Sequence, residues 1–156
     1  MKRWLLTLSF LLPCWQLAMP TARAAEPYLV LVASVQSTVP ALSAIETNHL
    51  YISVPLFNDG KAITPLLNYS DSFTQETFMF KVMHMSKQAY ERLILARIFR
   101  MGGNRPAIYS SLTKLIGALK TNPSAVTYMY SDEASAHPDI KIISVLWKKD
   151  AEDGND

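Results

Sequence analysis

The chain has 156 residues, 49% of them hydrophobic and 18% charged, enough for one domain that buries roughly two-thirds of its unfolded surface and too little for two. Its 15 basic residues against 13 acidic ones form no basic block, which excludes a general nucleic-acid binder. A single cysteine excludes a disulfide framework, so stability must come from a hydrophobic core.

Lys2 and Arg3 precede an apolar run from Trp4 to Met19, and Ala22-Arg23-Ala24 offers an A-x-A cleavage site before Ala25. This is the pattern of a secretory signal peptide, so residues 1–24 are expected to be removed and the mature protein to reside in the periplasm. Pro13 interrupts the run, which argues against a retained membrane anchor, and it does not suit the position before a lipidated Cys14. Lys2, Arg3 and Arg23 leave with the signal, so 12 basic residues then face 13 acidic ones, a net charge of −1.

Tyr28 to Val35 is apolar and β-branched on both faces, as expected of a central strand in a parallel or mixed sheet covered by helices. After the polar break Gln36 to Pro40, Ala41 to Tyr51 has a short helical pattern with Leu42, Ile45, His49 and Ile52 on one side. Asn58-Asp59-Gly60 is a turn, and Ala62 to Leu67 follows as a strand whose Pro65 suits an edge or a strand end.

The stretch from Asn68 to Met85 organises the rest. It opens with hydroxyl and carboxylate side chains and turns apolar, as does a loop entering a buried helix. Ser72 is the expected N-cap, with Gln75 completing a capping box, and the free N–H groups of such a first turn favour anions. Phe73, Phe78, Met79, Phe80, Val82, Met83 and Met85 cover most of the helix circumference, which predicts a sandwiched helix running to Met85.

Ser86 caps a second helix to Arg100, ended by Met101-Gly102-Gly103-Asn104. Ser111 caps a third, whose Leu112, Leu115, Ile116 and Leu119 fall at i, i+3, i+4 and i+7 before Thr121-Asn122-Pro123 stops it. Ala125 to Tyr130 is a strand, Ser131 to Pro138 a polar connection, and Lys141 to Trp147 the last strand. The charged tail from Lys148 to Asp156 is expected to be disordered.

Asn68 to Phe78 resembles the loop and helix start R-x-x-G-S-G-T-R-E-x-F of phosphate-binding proteins of bacterial ABC transporters. Ser72, Thr74, Glu76 and Phe78 match; Asn68 stands where that family has a clamping arginine, and Asp71 and Phe73 replace its two glycines. Leu56 to Leu66 (L-F-N-D-G-K-A-I-T-P-L) is similar to the F-L-G-K…D-G…V-x-P-V stretch of short relatives, and Asn122 to Tyr128 to their N-P-G-A-I-G-Y, with Ser124 and Thr127 in place of glycines. The resemblance spans about 100 residues, Leu50 to Trp147. It implies a single α/β domain of periplasmic-binding-protein-like (type 2) architecture, residues 25–147, with a mixed sheet and packed helices and no cofactor. It further implies a small oxyanion such as phosphate as ligand, with Ser72, Thr74, Asn68 and Asp71 as the candidate anion site, weakened by the lost cation and glycines.

An enzymatic reading finds no mature cysteine, no G-x-S-x-G elbow and no H-E-x-x-H. Ser72, His84 and Asp71 make no triad, because His84 is three turns along the helix from Ser72, about 18 Å. Met79, Met83, His84 and Met85 suggest copper ligands, but methionine at i and i+4 is the spacing of core filling, and His49 and His137 lie apart. Arg92, Arg97, Arg100 and Arg105 form a solvated basic side, unless Arg97, Arg100 or Arg105 folds back to the Ser72 loop to replace the charge missing at Asn68.

Two functions are thus expected: non-catalytic solute binding through a weakened or altered anion site, or an accessory or sensory role toward an inner-membrane partner after loss of the ligand. The mature length is about half that of a two-lobed transport receptor, so the ligand site is expected to be open on one side.

Overall fold

The computed structural model describes residues 26–149; the expected signal peptide and cleavage site, Cys14 and most of the charged tail lie outside the described residues. In chain order the elements are β1 (Leu29–Ser34), α1 (Ala44–Tyr51), β2 (Phe57–Asn58), β3 (Lys61–Ala62), β4 (Thr64–Asn68), α2 (Ser72–Lys81), α3 (Lys87–Met101), β5 (Ala107–Tyr109), α4 (Leu112–Thr121), β6 (Ala125–Tyr130), α5 (Ser131–Ser135) and β7 (Ile140–Trp147). Strands β5-β4-β6-β1-β7 form one sheet, and β2 and β3 a separate hairpin. β4 runs parallel to β5 and β6, whereas β1 is antiparallel to β6 and β7, so the sheet is mixed as expected.

All six residues of β1 are buried, because its alternate side chains enter two different cores. Leu29, Leu31 and Ala33 pack with Tyr51 of α1, Phe78 and Met79 of α2, and Tyr90 and Ile94 of α3. Val30 and Val32 face Leu115, Ile116 and Leu119 of α4 and Ala134 of α5. The domain is therefore three layers: α1, α2 and α3 on one face of the sheet, α4 and α5 on the other. Buried tyrosine hydroxyls tie the first helical layer to the sheet, Tyr51 donating to the Leu66 carbonyl at 3.0 Å and Tyr90 to the Tyr51 carbonyl at 2.8 Å.

The helix from Ser72 departs from its expectation in two ways. It ends at Lys81 rather than Met85, because His84 takes a left-handed conformation (φ 55°) while the Val82 and Met83 N–H groups both reach the Phe78 carbonyl and Met85 N–H the Met79 carbonyl. It is also covered on one side only: Phe73 and Phe80 are 66% and 60% exposed, while Thr74, Gln75, Phe78 and Met79 are buried. Met79 and Met83 fill the core, as their spacing suggested.

α1 is turned differently as well. Ser43 and Glu46 form a capping box, and Thr47, Leu50 and Tyr51 are the buried residues, leaving Ile45 70% exposed. Asp59 and Gly60 both have positive φ, which makes the Asn58–Lys61 turn a two-residue hairpin of the primed type.

β4 is an interior strand, not an edge, and Pro65 is tolerated for a local reason. Thr64 N–H donates to the Ser124 carbonyl, so the Pro65 nitrogen points to the opposite side, where pairing with β5 begins only at Leu66. β5 and α5 are elements that the sequence patterns leave out.

Candidate functional site

The three parallel strands set the site. From β4 the chain passes through α2 and α3 to β5 on one side, whereas from β6 it passes through α5 to β7, beyond β1 on the other. Chain directions therefore diverge between the carboxyl ends of β4 and β6, the place where open α/β sheets form a ligand crevice.

A cleft of about 310 Å³ lies there. Pro27, Phe73 and Tyr130 supply its apolar walls, Asp71, Asp132 and Glu133 its carboxylates, and Thr74 a further lining residue. The Phe73 and Tyr130 rings are stacked, 5.7 Å between centroids at 12°, and the Tyr130 hydroxyl donates to Thr77 Oγ1 at 3.0 Å, which fixes that ring against α2.

Asp71, not Ser72, caps α2. Its Oδ2 accepts the Thr74 N–H at 2.7 Å and the Thr74 hydroxyl at 2.8 Å, and these bonds, the backbone one first, hold its carboxyl below the usual carboxylate range. A carboxylate thus occupies the position at the helix start that an anion would use. Ser72 becomes the first helical residue, exposed, and Gln75 is buried rather than reaching back as a capping-box partner.

Asn68 is fully buried. Its Nδ2 donates to the Tyr128 carbonyl at 3.0 Å, and its Oδ1 accepts the Ser70 N–H at 3.1 Å and the Ser70 hydroxyl at 2.6 Å. The Tyr128 hydroxyl returns a bond to the Asn68 carbonyl at 3.1 Å, so the pair bolts the end of β4 to β6. Of the four candidate residues, Asp71 and Thr74 line the cleft, Ser72 sits beside them on the exposed first turn, and Asn68 points into the fold.

Arg105 is the arginine that returns toward this loop. It pairs with Glu91, near Tyr69, whose titration is pushed up by burial first and by Glu91 and partly drawn back by Gln75 and then Arg105. It does not line the cleft. Glu133 is half-buried, and desolvation first and the Asp71 charge second raise its carboxyl above the usual value, with His137 opposing. Sequence reasoning missed Phe73, Tyr130, Asp132 and Glu133 as cleft residues; an aromatic at the end of β6 followed directly by two carboxylates was the available signal.

Among the described residues no three His, Cys, Asp or Glu side chains are grouped as for a metal ion, and no helix is long and apolar enough to cross a membrane.

The described residues thus form one mixed α/β domain with a crevice at its switch point. The chain is similar to an ABC-type phosphate transport receptor from Vibrio cholerae, with a TM-score of 0.54 and 17% identity over 75% of this chain and 45% of that one. It is similar also to PstS from Borrelia burgdorferi (TM-score 0.53, 12% identity, 81% of this chain and 50% of that one). A possible phosphate binding protein from Planctomyces limnophilus aligns with a TM-score of 0.50 and 13% identity over 75% of this chain and 40% of that one. The likeness is one of fold, and the chain spans half the length of these proteins or less. No family model and no curated protein matches it.

Proposed function

We propose that this is a non-catalytic, exported solute-binding-like protein whose ligand site is the cleft between β4 and β6, with the oxyanion site implied by the motif resemblance weakened and altered. The observation that carries the reading is the helix start itself: Asp71 caps it with a carboxylate, and the residue at the clamping position, Asn68, is buried and internally bonded. Each feature opposes a bound oxyanion while leaving a formed crevice. Thermal unfolding in about millimolar phosphate and sulfate tests it. A micromolar anion site would add about 4 kcal/mol under those conditions, many degrees of melting temperature for a domain this size; no shift is expected, and one abolished by Ser72→Ala overturns the altered-site reading. Export is checked separately by mass spectrometry of the periplasmic fraction, with Ala25 expected at the N-terminus.

A second reading, an accessory protein for an inner-membrane partner, is favoured by α3. Arg92, Leu95, Ala96 and Phe99 recur at helical spacing on its exposed side, with Phe99 87% and Leu95 50% exposed. Phe99→Glu leaves the fold intact under this reading and abolishes recovery of the protein with membranes of its host.

A further inference from the structure

We propose that the cleft between β4 and β6 takes a cationic group, a methylated ammonium on a small solute, rather than an anion. The inference rests on the cleft being the ligand site and names the class of ligand it selects. Three independent features carry it. The cleft lies at the switch point of the sheet, between loops that leave β4 and β6 in opposite directions. Two of its lining residues are aromatic, with Phe73 stacked on Tyr130 and Tyr130 anchored through Thr77, so a ring pair stands preformed in its wall. Its charged lining is of one sign, Asp71, Asp132 and Glu133, with no lysine or arginine among the lining residues.

The physical consequences point the same way. An oxyanion entering this cleft would meet three carboxylates and no cation. An ammonium would gain the attraction of those carboxylates and of the ring faces, and methylation favours the rings because a methylated ammonium sheds water more easily than a primary amine. Neither of the two ion pairs of the described residues, Arg105 with Glu91 and Lys120 with Asp139, includes a cleft carboxylate. Burial first and the neighbouring Asp71 charge second raise the titration of Glu133, with His137 opposing. A volume of about 310 Å³ suits a small head group and not a large solute.

Calorimetric titration of the purified protein with choline, with its neutral carbon isostere 3,3-dimethylbutanol, and with phosphate tests the inference. Choline is expected to bind about tenfold or more tightly than the isostere, and phosphate not at all. Glu133→Gln, which removes a charge that the fold already disfavours and so preserves folding, is expected to weaken choline about fivefold or more. Phe73→Ala, at an exposed ring, is expected to do the same, with circular dichroism checking that both variants remain folded. Equal affinity for choline and the isostere, or choline binding indifferent to both variants, overturns the proposal. Saturable phosphate binding lost in Ser72→Ala overturns it too while leaving solute binding intact; no heat with choline, tetramethylammonium or phosphate overturns it together with the solute-binding reading.

Discussion

At the scale of single residues, Asp71 and Asn68 decide how the helix start behaves. Asp71→Ala removes the acceptor for the Thr74 N–H and is expected to cost about 1 kcal/mol by denaturant unfolding, the usual loss for an N-cap. The sign with pH follows from the depressed carboxyl: its contribution is complete above its ordinary value of 3.8 and is lost as pH falls through the lower value in the fold, so the gap between wild type and variant should close in acid. Asn68→Arg restores the cation of the phosphate-binding motif, but at a fully buried position whose amide joins β4 to β6. Instead of gaining phosphate affinity, the variant should lose about 3 kcal/mol or more of stability, through an uncompensated buried charge and the lost bond to Tyr128. Unfolding of that variant with and without phosphate separates the outcomes.

At the scale of elements, α2 joins core and site in ten residues. Phe78 on its inner face lies parallel to Tyr128 of β6 at 3.6 Å between centroids and edge-on to Tyr51 of α1 at 4.8 Å. Phe78→Ala is expected to cost on the order of 3–5 kcal/mol, a large share of a small domain's stability, and a loss below about 1 kcal/mol in urea would remove Phe78 from the core. Phe73, on the outer face of the same helix, should be nearly neutral for stability. The contrast explains what was legible in the sequence. Strands with apolar residues on both faces, β1 and β6, and the clean amphipathic period of α4 could be placed because burial alone dictates their patterns. The end of α2 could not, since a histidine rather than a glycine takes the left-handed position, and apolar content alone did not separate buried Phe78 from exposed Phe73 and Phe80. β5 was hidden because three residues carry no period, and its pairing with β4 is decided by tertiary contact. The cap went to Ser72 instead of Asp71 because both are good caps and only the backbone geometry chooses between neighbours. Half of the site, Tyr130 to Glu133, was illegible for a related reason: it is remote in sequence from Asp71, and only the parallel pairing of β4 with β6 brings the two loops together.

At the scale of the whole molecule, the described domain spans half or less of each of its three solved neighbours. Among the described residues the cleft walls come from the start of α2, the end of β6 and α5, all packed on one continuous sheet. Binding should therefore be local. A ligand exposed on one side leaves part of its surface hydrated, which limits affinity and shortens its residence. Amide NMR during a choline titration is expected to give shifts in fast exchange, confined to Asp71–Thr74 and Tyr130–Glu133, with the radius of gyration unchanged by small-angle scattering. Slow exchange with shifts spread across α3 and β7, or a measurable compaction, would mean that the domain closes on its ligand and that the cleft works as the mouth of a moving receptor.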